Sequence, residues 1–160
     1  MDQETIWDRH PADRKCIAVA FDARSLPLLK DGSLTCFIRR KIPKHNPLVI
    51  YIYVNSPVSG IIGKAAVKSL ENMKLHDAID MASELRMTRQ DIVKYIGDRE
   101  FVGLMRLRSI CLFTNLVTTD CLQDIVVFHP PQNFSWLNSS VIDAIEHIGS
   151  GGRVSGLDYT

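Results

Sequence analysis

Apolar positions along the chain follow three rhythms, and each predicts a kind of element. Unbroken apolar runs at 16–21 and 48–54 are of strand type. The second, Leu48-Val-Ile-Tyr-Ile-Tyr-Val54, lacks alternation, which predicts burial on both faces. Strand character returns at 34–39 and 60–70. It runs long over 101–113, where Arg106 and Arg108 alternate with Met105 and Leu107 before the pattern blurs after Ser109. Leu75, Ala78, Ile79, Ala82 and Leu85 recur in steps of three and four, which places them on one helical face. Thr88-Arg-Gln-Asp91 reads as a capping box opening a helix that carries Ile92, Val93, Tyr95 and Ile96 and stops at Gly97. Residues 25–31 predict a short helix with Pro27 in its first turn and Gly32 as its terminator. A last short helix is predicted over 141–148.

The resulting order is strand, helix, three strands, two helices, a long strand and a tail. Without regular βαβ alternation this argues α+β, with a small curved sheet or barrel. Residues 1–15 are polar and read as an N-terminal arm, 16–148 as the domain, and the Gly-rich 149–160 as a flexible tail.

Composition adds exclusions. A chain of 160 residues with 46% hydrophobic and 23% charged residues is ordinary globular material. The net charge of +1 excludes a bulk polycation for indiscriminate nucleic-acid binding. No apolar run reaches the ~20 residues of a membrane span, and the N-terminus lacks a signal-peptide profile, so a cytoplasmic location is expected. Cys16, Cys36, Cys111 and Cys121 stand far apart with no Cys-x-x-Cys pair, and buried reduced thiols are expected for all four. The small net charge hides a bipolar layout. Residues 30–44 hold Lys30, Arg39, Arg40, Lys41 and Lys44 against Asp31, a net +4; residues 109–152 hold Asp120, Asp124, Asp143 and Glu146 with no Lys or Arg, a net −4.

The five histidines show no metal spacing, and there is no His-Glu-x-x-His, phosphate loop or Gly-x-Ser-x-Gly elbow. No cofactor or metal is expected. What remains is the stretch from Gly32 to Pro43, a glycine turn feeding a strand that ends in three cations. Arg39 and Arg40 carry guanidinium forks able to bind phosphate bidentately, which Lys cannot. Arg86 and Arg89, on the helical side, are expected to matter less.

These residues, with others, resemble the ASCH (activating signal cointegrator homology) domain, one of the PUA-like β-barrels. That family's pattern is a helix, then Gly-x-Lys-x-x-Glu-x-Arg, then a strand and a Ser/Thr-Pro turn. Gly32 and Arg39 match its ends, Tyr51-Ile-Tyr-Val-Asn-Ser-Pro-Val58 with Ile61-Ile-Gly63 matches the strand and turn, and Phe128-His-Pro-Pro-Gln-Asn-Phe134 is similar to a segment of a bacterial and phage subgroup. The resemblance implies a PUA-like barrel of five to six mixed strands flanked by short helices. Some family members are amidohydrolases acting on N(4)-acetylcytidine through a Lys, a Thr and a Glu. Here Leu34 stands at the Lys position and Phe37 where the Thr would be. Thr35 is displaced by two positions on the same strand face, and Glu84 falls within about one residue of the acid. Leucine cannot take a proton, so that activity is not expected.

Three readings stay open. The first is a noncatalytic module, with a transcriptional or RNA-linked regulatory role, that binds RNA or a nucleotide. In it Gly32 shapes the cleft, Arg39, Arg40, Lys41 and Lys44 hold phosphate, and Thr35, Asn55 and Ser56 meet a base edge or sugar. The second is an amidohydrolase with a rebuilt site around Thr35 and Glu84. The third is a ligand-free interaction domain whose acidic C-terminal half meets a protein partner.

Overall fold

A computed structural model describes residues 16–151; the predicted arm at 1–15 and all but the first residues of the predicted tail lie outside them. Six strands form one mixed sheet: β1 (Cys16–Phe21), β2 (Cys36–Arg39), β3 (Val49–Val54), β4 (Gly60–Lys74), β5 (Phe101–Thr118) and β6 (Phe134–Trp136). Their order is β2-β5-β4-β3-β1-β6, curled into a half-barrel. β1 runs parallel to β3, and all other pairs are antiparallel. The fold is thus the expected small α+β barrel.

β3 is buried at all six positions because both its faces are covered. Val49, Tyr51 and Tyr53 point into one core, and Ile50, Ile52 and Val54 into another. The first core is roofed by the C-terminal helix α6 (Ser139–Gly149), whose Ile142, Ile145 and Ile148 are almost fully buried. The second lies inside the curl and is bounded by α1 (Leu26–Lys30), which follows a 3-10 turn at Ala23–Ser25. Pro27 does sit in the first turn of α1, and Gly32 beyond its end takes φ +75°, which favours glycine.

β4 and β5 are longer than their sequence rhythm predicts. Three register shifts between them, at Ile61/Gly63, Ala65/Val67 and Val67/Ser69, insert bulges that curl the pair. Each slip also resets which side chain faces which core, and this erases alternation after Ser109. The predicted single helix over 75–85 is two, α2 (Leu75–Asp80) and α3 (Ala82–Leu85), because Met81 leaves helical geometry at φ −96°, ψ 12°. α4 (Arg89–Ile96) has the predicted capping box in full, with Thr88 Oγ1 accepting from the Asp91 N–H at 3.0 Å. These three helices pack on Ile38 and Leu104 of β2 and β5 as a third core. Unpredicted were α5 (Thr119–Gln123), capped by Thr118, and the three-residue β6, which pairs with Ile17–Val19 and packs Phe134 on the second core. Burial of all four thiols is corrected: Cys16 and Cys36 are buried, Cys121 is half-buried, and Cys111 is exposed on β5. Among the described residues no helix is long and apolar enough to cross a membrane.

Candidate functional site

The sheet curls far enough that the end of β2 returns to the end of β1, four strands away in the hydrogen-bonded order. A cleft of about 550 Å³ opens there, within the usual range for small-ligand sites. Its apolar lining includes Phe21 from β1, Leu28 from α1, and Leu34 and Phe37 from the β2 segment. Phe21 and Phe37 meet edge to face with centroids 5.0 Å apart. Its charged lining comes from three segments: Arg24 from the 3-10 turn, Arg39, Arg40 and Lys41 from the end of β2, and Arg86 from the turn after α3. Asp22 is the one carboxylate among the lining residues. Five cations against one acid make the cleft strongly anion-attracting.

The cations differ in how they are held. Arg39 donates from Nη1 to the Ile38 carbonyl at 2.9 Å and from Nη2 to the Ala20 carbonyl at 2.7 Å. Its guanidinium carbon lies 5.0 Å from the Phe21 ring centroid and 4.7 Å from that of Phe37. Burial lowers the Arg39 pKa, and the Tyr95 hydroxyl offsets part of that. Arg40 is exposed; its Nε donates to the Tyr95 carbonyl at 2.6 Å while its head lies 4.8 Å from the Tyr95 ring centroid. Arg24 caps back on Asp22 at 3.2 Å, and its backbone N–H and side chain together hold that carboxyl below its ordinary value. Lys41 is exposed, and its carbonyl accepts from Asn133 Nδ2 at 2.8 Å. Gly103 on β5 allows this loop its close approach, since the Ile42 side chain occupies the space a Cβ there would need.

Arg39, Arg40 and Lys41 are therefore brought together as the sequence suggests. Gly32, Thr35, Lys44, Asn55 and Ser56 are not among the residues lining this cleft. Thr35 is exposed one residue before β2, where its carbonyl accepts from the Leu107 N–H at 2.8 Å. Asn55 and Ser56 form the turn after β3, with the Asn55 N–H bonded to the Phe21 carbonyl at 2.9 Å. Pro57 and Val58 of that turn line a separate apolar groove against Leu112 and Leu116. Glu84 precedes the Leu85–Arg86–Met87 wall, and its carboxylate accepts from Arg106 at 3.3 Å. Arg86, expected on the helical side, lines the cleft instead: a left-handed φ of 59° ends α3 and turns the chain there. Arg24, Arg86 and Tyr95 were invisible as site residues because none is near Arg39 in sequence. Among the described residues no cluster of three His, Cys, Asp or Glu side chains could hold a metal ion.

No protein-family model and no curated protein sequence matches the chain. Solved structures do. The ASCH protein of Zymomonas mobilis superposes with a TM-score of 0.75 at 24% identity, covering 83% of this chain and 94% of that one. A Ser-to-Ala variant of the same protein gives 0.73 at 24% identity, with 82% and 94% covered. The N-terminal domain of Staphylothermus marinus McrB gives 0.57 at 12% identity, with 86% and 96% covered. The chain shares the fold of these ASCH structures, the fold that its motifs lead one to expect.

Proposed function

We propose that this chain is a noncatalytic ASCH-type module that binds RNA or a nucleotide in the cleft between β1, β2 and α3. One observation carries the reading: five cations from three segments converge on a cavity of nucleotide size with an apolar floor. Phosphate suits the cations, and a splayed base suits the floor of Phe37, Leu34 and Leu28. The same floor argues against amidohydrolase chemistry. Leu34 and Phe37 stand at the reactive positions and are 6% and 7% exposed. Thr35 is not among the residues lining the cleft, and Glu84 is engaged by Arg106. Purified protein is expected to show no turnover of N(4)-acetylcytidine, and Leu34→Lys alone is not expected to create it. Turnover lost in Thr35→Ala or Glu84→Gln would replace the binding reading with an enzymatic one.

The deciding experiment is binding of a labelled single-stranded RNA and of a mononucleotide across salt concentration. A steep negative slope of log affinity against log salt is expected, about 0.7 for each phosphate contacted. An affinity indifferent to salt and to cleft substitutions would favour the protein-partner reading. That second reading has its own support in the tip at Ile125–Val127, where Val127 is 82% exposed beside Asp124.

A further inference from the structure

The sheet's edge strands are β2 and β6, and two side chains join the two sides of its open seam. Arg39, the last residue of β2, reaches across to the Ala20 carbonyl of β1 at 2.7 Å. From the other side Asn133, whose own carbonyl accepts from the Ala20 N–H at 2.8 Å, reaches back to the Lys41 carbonyl at 2.8 Å. Each bond therefore runs from a side chain on one side of the seam to a backbone oxygen on the other. The Phe21–Phe37 contact lies beneath, with the Arg39 guanidinium within 5.0 Å of both ring centroids.

We propose that Arg39 and Asn133 form a reciprocal clasp that closes the barrel seam and sets the shape of the cleft, leaving phosphate contact to Arg40, Lys41 and Arg86. Arg39 is then a positioning residue. Its two terminal nitrogens are committed to Ile38 and Ala20, and its guanidinium carbon sits close to the Phe21 and Phe37 rings. A phosphate reaching it would have to displace those contacts. The side chains of Arg40 and Lys41 are exposed at the cleft and do not cross the seam, and the Arg40 bond to the Tyr95 carbonyl runs from Nε. Guanidinium geometry suits the clasp, since its two terminal nitrogens meet two carbonyls in a fixed fork that a compact ammonium does not reproduce.

The inference rests on the proposed binding function for one readout and is independent of it for another. With a 12-nucleotide labelled RNA, Arg40→Ala is expected to lower the salt slope by about 0.7. Arg39→Met is expected to weaken binding several-fold while leaving the slope as in wild type. Arg39→Lys, which keeps the charge, is expected to lose nearly as much affinity as Arg39→Met. A slope lowered in Arg39→Met as in Arg40→Ala, or affinity rescued by Arg39→Lys, would overturn the clasp in favour of a phosphate ligand. Denaturant unfolding of Arg39→Lys, Asn133→Ala and the double variant needs no RNA. The double loss is expected to fall short of the product of the single losses by threefold or more, because residues sharing one seam couple. Additive losses would overturn the clasp. Absence of RNA binding in the wild type would instead overturn the proposed function, leaving the clasp to this unfolding cycle.

Discussion

On the α6 face of the sheet Lys64 lies 2.7 Å from Glu146, whose same oxygen accepts from the Tyr51 hydroxyl at 2.8 Å. Across the sheet Arg40, Lys41 and Arg86 line an open cleft with Asp22 as the carboxylate among them. Both regions place cations beside aromatic rings and an isoleucine-rich core, yet they do different work. Lys64 is only 12% exposed, so its charge must be matched inside the protein. The cleft cations keep contact with water and need no internal match, which leaves them available to an anion from solution. Charge near this sheet is matched inside the protein where it is desolvated and left facing solvent where the cleft opens on it.

The comparison breaks first on stability. Ile52→Ala, at a fully buried position beneath the cleft, is expected to cost ~2–5 kcal/mol in denaturant unfolding. Glu146→Ala is expected to cost about 2 kcal/mol by removing the carboxylate that Lys64 and the Tyr51 hydroxyl share, and to spare RNA affinity at permissive temperature. Paired with it, Arg40→Ala together with Lys41→Ala is expected to cost no more than about 1 kcal/mol, chiefly the Arg40 contact with Tyr95. The same pair should lower the RNA salt slope by about 1.4. If the two effects exchanged places, the division between structural and functional charge would fall.

Smaller changes sharpen it. Thr88→Ala removes the cap of α4, the helix that presents Tyr95 to Arg40, and is expected to cost ~1 kcal/mol by thermal melting. Asp22→Asn, which keeps an acceptor for the Arg24 N–H, is expected to tighten RNA binding by about threefold at most in low salt. Hydrogen bonds from Arg24 hold the Asp22 carboxyl below its ordinary 3.8. A carboxyl lowered on folding contributes stability above its unfolded value and loses it as pH falls through the folded one. Any loss of the 3-10 turn's Asp22 cap is therefore expected only below about pH 4, read as a local change in amide exchange.

Local chemistry was legible wherever one segment decides its own structure. The double-buried strand at Val49–Val54, the Thr88–Asp91 box, the Gly32 stop and the cation cluster ending β2 follow from side-chain type and spacing alone. Tertiary structure decided the rest, because it depends on which distant segments meet. Bulges between β4 and β5 lengthened both strands beyond their rhythm, and β6 forms by pairing with the distant β1. Curling brought Arg24 and Arg86 into one cleft with Arg39, and it left Thr35, Asn55 and Ser56 out of that cleft's lining. A run of residues specifies how the chain bends and which face is apolar. Which cations share a cavity is set by the register and closure of the whole sheet, a long-range condition that no short stretch of sequence encodes.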